Sequence, residues 1–201
     1  SSTGLLHTLD ARIISYMCEL LHIDEQEAIQ IRRSYLESYG TTLRGLQEHH
    51  SVDREHYMDY IHDIAIESFL DSDAELEYLL RQIKAPLAIF TNSPLEHTER
   101  ILQRLGIRQL FDYVFDIRFQ EFLPKPHMQS YMRVLENMGV NPHHTIFVED
   151  TLRNLLPAHE LGMYTIFLSD TSSQILLEQV DVIMPDVLAA IRHIIKMKNK
   201  G

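Results

Sequence analysis

Three polar clusters in the sequence combine side chains that could bind a phosphate group and a cation. Thr91-Asn92-Ser93 places two hydroxyls and an amide directly after an apolar run, Lys125 stands between two prolines, and Glu149-Asp150 places two carboxylates after another apolar run. A lysine offers a point charge to a phosphate oxygen, and hydroxyls offer directional donors. Adjacent carboxylates repel unless a cation lies between them, and Mg²⁺ prefers such oxygen ligands. These are electrostatic parts for phosphoryl transfer.

The first cluster is predicted to lie where a strand ends and a helix begins. Leu87 to Phe90 form an uninterrupted apolar run, which favours a parallel strand covered on both faces. Ser93 is predicted to cap the following helix, with Pro94 at its first position and Glu96 completing a capping box. Free N–H groups at a helix N-terminus suit an anion, so Asn92 and Ser93 are candidate substrate-binding residues beside Thr91. The alternative is an ordinary strand-to-helix turn.

The other two clusters also have structural alternatives. Asp150 could cap a helix that begins at Thr151, and Lys125 could be a solvated loop residue. In a parallel α/β sheet, however, sites form outside the carboxyl ends of the strands, and all three clusters lie just past or between such ends. Their convergence on one rim favours a functional site.

The elements that must position these residues are alternating helices and strands over residues 71–201. The predicted strands are Leu87 to Phe90, Tyr113 to Phe115, Thr145 to Val148 and Tyr164 to Leu168, with Val182-Ile183 as a possible fifth. The helices before three of them end at Gly106, Gly139 and Gly162. This pattern predicts a doubly wound, Rossmann-like α/β core with a parallel sheet.

Residues 1–70 have a helical pattern without a convincing strand, which predicts a small all-α domain. Asp24 with Glu27 forms a capping box, and Asp53 can cap a later helix. Ser72 with Glu75 is predicted to cap the first helix of the α/β core.

Composition excludes several classes of function. The net charge is −11 and no basic stripe is visible, which argues against a nucleic-acid partner. No apolar run is long enough to cross a membrane, and the first residues lack a signal-peptide pattern. A single cysteine, Cys18, excludes a disulfide framework and suits a reducing compartment. A cytoplasmic protein with a small-molecule substrate is therefore expected.

The order of the three clusters resembles the haloacid dehalogenase-like superfamily of hydrolases. The motifs are Thr91-Asn92-Ser93, then Lys125-Pro126, then Glu149-Asp150 with Asn154 four residues after Asp150. The resemblance implies that Thr91 binds phosphate, Lys125 steadies its charge, and Asp150 binds Mg²⁺. Glu149 is a weaker metal candidate, and Asn154 stands where many members carry a second aspartate.

The N-terminal domain resembles the helical cap of the pyrimidine 5′-nucleotidase branch. The motifs are Ser2-Thr3-Gly4-Leu5, Tyr39 to Leu46, and His62-Asp63. The resemblance implies a cap that chooses a nucleoside 5′-monophosphate, with Thr41, Thr42 and Arg44 as substrate-binding candidates in an exposed, glycine-flanked loop. The small-molecule substrate would then be a phosphomonoester.

One departure from the family concerns the reactive group. The superfamily's nucleophile is an aspartate in an Asp-x-Asp-x-Thr motif after a strand, and this sequence has no such motif. That strand, expected between those preceding Thr91 and Asp150, is missing as well. Asp10 cannot substitute, because it lies inside an amphipathic helix. Either a short piece before residue 1 is absent, which we favour, or the protein is a natural variant without aspartyl-phosphate chemistry.

Other functions stay open at this stage. A non-catalytic phosphate- or nucleotide-binding protein could keep the cap and the rim without a nucleophile. A sugar-phosphate phosphatase or a haloacid dehalogenase of the same family would share the architecture, and a dehalogenase needs no metal.

Overall fold

The computed structural model describes residues 4–170 and 178–198, and the chain in it forms two compact units. One unit is helical and comprises residues up to 72 together with Ser93–Leu105; the other is an α/β unit of Asp73–Asn92 and residues 106–201. The predicted division into residues 1–70 and 71–201 therefore differs for Ser93–Leu105, which packs with the helical unit. Ser2 and Thr3 of the proposed cap motif lie outside the described residues.

Helices and strands are numbered in chain order within the described residues. The helices are Gly4–Leu21 (α1), Glu25–Tyr39 (α2), Thr42–His49 (α3), Arg54–His62 (α4), Ala74–Leu80 (α5), Leu95–Arg104 (α6), Met128–Met138 (α7), Leu152–Glu160 (α8) and Val187–Lys198 (α9). The strands are Ala88–Phe90 (β1), Tyr113–Phe115 (β2), Ile146–Glu149 (β3), Tyr164–Leu168 (β4) and Val182–Met184 (β5). No helix in these ranges is both long and apolar enough to cross a membrane.

Side-chain caps define the starts of several helices. The Asp24 carboxylate accepts from the Glu27 N–H at 2.9 Å, and Asp53 accepts from the Glu55 N–H at 3.0 Å, so both predicted caps are confirmed. The predicted Ser72 cap is wrong by one residue, because Asp73 accepts from the Leu76 N–H at 2.9 Å and starts α5. A carboxylate and a hydroxyl are both good caps, and the sequence pattern alone did not choose between neighbours.

A close approach of α2 and α3 in the helical unit depends on Gly45. A Cβ atom at this position would lie 2.2 Å from Cγ of Tyr35, far inside van der Waals contact. The predicted exposed loop at Tyr39 to Leu46 is therefore wrong over most of its length: α3 starts at Thr42, and Gly45 is a buried contact point inside it. A glycine inside a short helix is hard to distinguish from a glycine in a loop by sequence.

Helix α6 completes a small hydrophobic core of the helical unit. Leu5, Ile64 and Ile66 are buried there, with Ile101 of α6 packed against them. The Arg100 guanidinium also donates to the Ile64 carbonyl at 2.8 Å. These contacts explain why residues 93–105 belong to this unit.

All strand pairs in the α/β unit are parallel, as predicted. β1 pairs with β2, with Ile89 opposite Val114. β3 pairs with β4 and β4 with β5, and Ile166 of β4 is paired in both ladders. The structure confirms the predicted bounds of β2 and β4 and shifts β3 by one residue, so that Glu149 closes the strand. The α/β architecture of the prediction is confirmed.

The sheet is divided between β1 and β3. The strands form a two-stranded sheet, β1-β2, and a three-stranded sheet, β3-β4-β5, and within residues 4–170 and 178–198 no strand pairs with the other edge of β1 or of β3. The rings of Phe90 and Phe147 lie 6.0 Å apart, so the two sheets face each other across this division. β1 is only half-buried, although its apolar run predicted burial on both faces. An open edge explains the difference, and its position is the one expected for the missing strand.

Candidate functional site

A buried ion pair lies where β3 ends. The Lys125 Nζ and Glu149 Oε2 atoms are 2.5 Å apart, and the two residues are only 8% and 9% exposed. The ammonium also lies 5.2 Å from the ring centre of Phe90 and 5.6 Å from that of Phe147, on either side of the divided sheet. Lys125 is therefore not the solvated loop residue of the alternative interpretation, and it brings a charge to the end of the strands.

The adjacent carboxylates have different environments because successive residues at a strand end point to opposite sides. The second oxygen of Glu149 accepts from the N–H groups of Asp150 and Thr151, each at 3.2 Å, so both of its oxygens are engaged. Asp150 is exposed, and its carboxylate accepts from the Thr151 hydroxyl at 3.3 Å. Helix α8 begins at Leu152 with no side-chain cap, so the predicted alternative of Asp150 as a helix cap is wrong.

Asn92 connects the end of β1 to the lysine. Its side-chain oxygen accepts from the Lys125 N–H at 2.7 Å, and its amide nitrogen donates to the Lys125 carbonyl at 3.1 Å. The side chain thereby acts as a clamp on the lysine backbone. Substrate binding by Asn92 stays a prediction, whereas support of Lys125 is observed.

Thr91 is held at the strand exit by its backbone. Its N–H donates to the Phe115 carbonyl at 2.9 Å, and its carbonyl accepts from the Gln120 amide at 2.6 Å. Gln120 is completely buried and was not among the predicted site residues. It lies in a loop without any recognisable motif, and no pattern in the sequence signals it.

The start of α6 differs from the predicted one. The helix begins at Leu95, and Pro94 occupies the N-cap position. Pro94 has an extended ψ of 156°, and its side chain makes no capping hydrogen bond. Ser93 belongs to the helical unit, whereas Thr91 and Asn92 belong to the α/β unit. The prediction of Pro94 as the first helical residue is thus wrong by one position, and the capping box of Ser93 and Glu96 stays a prediction.

Asn154 is buried in the first turn of α8. Its backbone carbonyl accepts from the Tyr131 hydroxyl at 2.6 Å, and its buried side-chain oxygen accepts no hydrogen bond from the residues that the structure describes. Burial raises the pKa of Tyr131 far above its usual range, and the Glu149 charge raises it further. The phenol is consequently a hydrogen-bond donor and not an ionisable group of the site.

The oxygen donors after β3 fit a hard cation in part. Asp150 offers an exposed carboxylate, and Asn154 offers an amide oxygen to which no group in the described part of the chain donates. Because Glu149 is paired with Lys125, it is less available than Asp150 as a metal ligand. No group of three or more His, Cys, Asp or Glu side chains within the described ranges is arranged to hold a metal. Mg²⁺ keeps several waters and often takes only one or two carboxylates from a protein, so this donor set suits it.

The predicted cap residues have structural roles in the helical unit. Thr41 caps α3, accepting from the Arg44 N–H at 3.2 Å, and Thr42 is 3% exposed. Arg44 is half-exposed and pairs with Glu48 at 2.6 Å. Of the three, Thr42 is buried, whereas Thr41 and Arg44 are both partly exposed.

Two buried histidines form a further titratable pair in the helical unit. The ring centres of His62 and His97 are 4.5 Å apart, and Nδ1 of His97 is buried without a hydrogen-bond partner among residues 4–170 and 178–198. Burial, His62 and Arg100 together lower the pKa of His97 to about 4. His97 is therefore neutral at physiological pH.

The aspartate at position 10 is used by the fold. It lies in α1 and pairs with Arg32 at 2.5 Å. The expectation that Asp10 is not a nucleophile agrees with this placement.

Comparison with known proteins assigns the family. A model described as haloacid dehalogenase-like hydrolase matches residues 9–162, which is most of the chain. The chain belongs to the haloacid dehalogenase-like hydrolases. The resemblance inferred from the three polar clusters is confirmed at this level, and the nucleotidase branch stays a prediction.

Curated relatives and solved structures agree with membership of the haloacid dehalogenase-like hydrolases. The chain is 28% identical over 118 residues to validoxylamine A 7′-phosphate phosphatase of Streptomyces hygroscopicus, covering 59% of this chain and 55% of the relative. It is 28% identical over 158 residues to phosphate metabolism protein 8 of Saccharomyces cerevisiae, covering 71% and 49%. The matches thus span about half the length of these relatives.

Two solved structures show the same fold as this haloacid dehalogenase-like chain. A phosphatase from Thermococcus onnurineus superposes with a TM-score of 0.62 at 17% identity, covering 95% of this chain and 90% of that one. An L-2-haloacid dehalogenase from Xanthobacter autotrophicus gives 0.58 at 16%, covering 94% and 85%. Because a phosphatase and a dehalogenase fit almost equally well, the fold does not decide the reaction.

Proposed function

We propose that this chain is the cap and most of the core of a Mg²⁺-dependent phosphomonoester hydrolase that acts on nucleoside 5′-monophosphates, with pyrimidines preferred. The observation that carries the proposal is the buried Lys125–Glu149 pair at the strand ends, with Asn92 clamping the lysine backbone. Several relatives are named phosphatases, which supports phosphate esters over haloacids.

Lys125 is the charge that would steady the transferring phosphoryl group. An ammonium has three N–H donors, and Glu149 takes one of them, so others remain for phosphate oxygens. The buried carboxylate holds the ammonium in one position and limits its freedom to swing. A fixed donor costs little reorganisation when charge develops on the phosphoryl oxygens.

Thr91 is proposed as the hydroxyl donor to the same phosphate, with Asn92 and Ser93 following it. Asp150 is the proposed Mg²⁺ ligand, with Asn154 nearby in sequence and Glu149 assigned to Lys125. The metal, when bound, would offset negative charge on the phosphate. Thr41, Thr42 and Arg44 are proposed cap residues for the nucleoside. Arg44 is proposed for direct contact because its side chain is half-exposed, whereas Thr42 is buried and the Thr41 hydroxyl caps a helix.

The nucleophile in this proposal is an aspartate on a strand that fills the gap between β1 and β3. Its carboxylate would attack phosphorus and release the nucleoside, and water would then hydrolyse the aspartyl phosphate. The divided sheet supports the position of that strand, because two parallel edges face the gap. The chain of 201 residues does not contain the aspartate motif, so catalysis requires it from additional sequence.

A second candidate is a non-catalytic phosphate- or nucleotide-binding protein. It would keep the helical cap and the polar strand ends and would act without a nucleophile. It predicts binding of a nucleoside monophosphate without release of phosphate.

The test is phosphate release from uridine and cytidine monophosphate by the protein with its natural upstream sequence, with Mg²⁺ and with EDTA. Asp150→Asn should lower the rate by at least about 100-fold, and the exposed Asp59→Asn should leave it unchanged. Full activity in EDTA would exclude the metal role, and an active Asp150→Asn variant would exclude the site assignment. Binding without turnover would establish the non-catalytic candidate, and faster release from a sugar phosphate would correct the substrate.

A further inference from the structure

Gln120 is a polar side chain that the fold buries completely, beside the proposed phosphate-binding threonine. Its amide nitrogen donates to the Thr91 carbonyl at 2.6 Å and to the Asp116 carbonyl at 2.9 Å. Its exposed fraction is 0%. Both amide hydrogens therefore serve the backbone of the strand exits after β1 and β2.

The amide oxygen of Gln120 is left without a partner. It is buried and accepts no hydrogen bond in the described part of the chain. A flipped amide would place this oxygen against two carbonyl oxygens, so the orientation is fixed by the donors. A methionine or leucine would fill a similar volume without leaving a buried acceptor unsatisfied, which is unfavourable. The position is thus explained by what the nitrogen donates, and packing alone does not account for it.

Fixing the Thr91 carbonyl also fixes the residue that follows. The peptide unit is planar, so the direction of the Thr91 C=O sets the plane from which Asn92 departs. Asn92 in turn holds the Lys125 backbone through two hydrogen bonds. A continuous path of short contacts therefore runs from Gln120 through Thr91 and Asn92 to the lysine.

The loop between Gln120 and Lys125 has a strained backbone. Glu121 and Phe122 have φ angles of 53° and 59°, the left-handed region that side chains other than glycine disfavour. Such a conformation persists only when surrounding contacts determine it. Gln120 anchors one end of this segment, and the Asn92 clamp anchors the other.

We propose that Gln120 is a positioning residue that holds Thr91 and, through Asn92, Lys125 in their phosphate-binding arrangement. This role rests on the proposed function in so far as Thr91 and Lys125 bind phosphate. Gln120 itself does not touch the substrate.

The test compares Gln120→Met with Gln109→Met in the same unit. Gln109 also donates its side-chain amide to a carbonyl, that of Gly106 at 2.7 Å, but it is exposed and remote in sequence from the three clusters. Inorganic phosphate is titrated by NMR into each protein, and hydrogen exchange of the Lys125 N–H is measured without phosphate. Gln120→Met should bind phosphate about tenfold more weakly and exchange the Lys125 N–H faster, while Gln109→Met matches the wild type.

A double-variant cycle separates positioning from general loosening. If Gln120 acts through Asn92, then Gln120→Met adds little further loss of affinity in an Asn92→Ala background, whereas independent effects multiply. Gln120→Asn, whose shorter amide cannot span both carbonyls, replaces Gln120→Met if that variant does not fold. Unchanged Lys125 exchange in the Gln120 variant, or multiplicative losses in the cycle, would overturn the proposal. A wild type that binds no phosphate would refute the phosphate site, while the exchange measurement would still decide the role of Gln120.

Discussion

In the α/β unit, the charged residues Lys125 and Glu149 are buried as an ion pair, and the Asn92 side chain is hydrogen-bonded to the backbone of Lys125. In the helical unit, the proposed substrate residue Thr41 caps a helix, and its neighbour Thr42 is buried. The first arrangement holds a charged group at the ends of the strands, whereas the second stabilises the fold of the helical unit. The role of a polar residue in a motif can therefore be tested by the change in the free energy of unfolding when that residue is replaced.

The largest effect is expected when the buried ion pair is broken. Lys125→Met leaves the Glu149 carboxylate buried without its partner, which should lower the free energy of unfolding by about 3–5 kcal/mol. Urea denaturation measures the loss. The exposed Lys84→Met is the control and should change stability by less than about 0.5 kcal/mol. A loss in Lys125→Met no larger than the control would show that the pair is not a buried unit.

The close approach of α2 and α3 is the corresponding test in the helical unit. Gly45→Ala places a methyl group 2.2 Å from Tyr35 and should cost about 2–3 kcal/mol through forced repacking. Gly139→Ala is the matched control: it meets nothing within 4 Å but has a φ of 63°, so it should cost only about 1 kcal/mol. Equal losses in thermal or urea unfolding would contradict the contact between the helices.

Acid should destabilise the helical unit through His97. The folded pKa of about 4 lies below the unfolded value of about 6.5, so stability is complete above pH 6.5 and falls as the pH drops toward 4. The expected loss is roughly 2 kcal/mol, a figure reduced for partial solvent screening. Urea unfolding at pH 7 and pH 4.5 measures it. In His97→Gln the difference between the two pH values should shrink, and in the exposed His144→Gln it should persist; a His97→Gln variant with the full difference would exclude this histidine as the cause.

The smallest expected effect separates the two roles of the Thr41 motif. Thr41→Ala removes a helix cap and should cost about 1 kcal/mol, whereas Arg44→Ala breaks only a half-exposed pair with Glu48 and should cost less than about 0.5 kcal/mol. Urea midpoints of the two variants provide the measurement. A costlier Arg44→Ala would give Arg44 a structural role and weaken its proposed contact with the nucleoside.

Sequence reasoning succeeded where a short-range rule determines the structure. The Asp24 and Asp53 caps follow from local hydrogen bonding, and the bounds of β2 and β4 follow from apolar runs between turns. The Thr91, Lys125 and Glu149 clusters could be associated because the carboxyl ends of parallel strands meet at one edge.

The sequence did not predict the role of a residue where packing between distant segments of the chain determines that role. The role of Gly45 depends on Tyr35, and the burial of Gln120 depends on two strand exits, neither of which leaves a local pattern. The end of β3 lies one residue later than predicted, so that Glu149 belongs to the strand and Asp150 follows it. Element ends are the least certain part of a sequence prediction, and here one residue decided which carboxylate is buried.

The divided sheet also has a consequence for how copies of this chain behave together. Within the described residues, the edges of β1 and β3 that face the gap carry backbone donors and acceptors without ladder partners. Such edges recruit any extended segment, because backbone pairing depends little on sequence. Solutions of these 201 residues should therefore self-associate increasingly with concentration, which light scattering would record, and a strand seated in the gap should suppress it. The gap between β1 and β3, which is the proposed position of the reactive aspartate, is therefore also the region where intermolecular strand pairing is most expected.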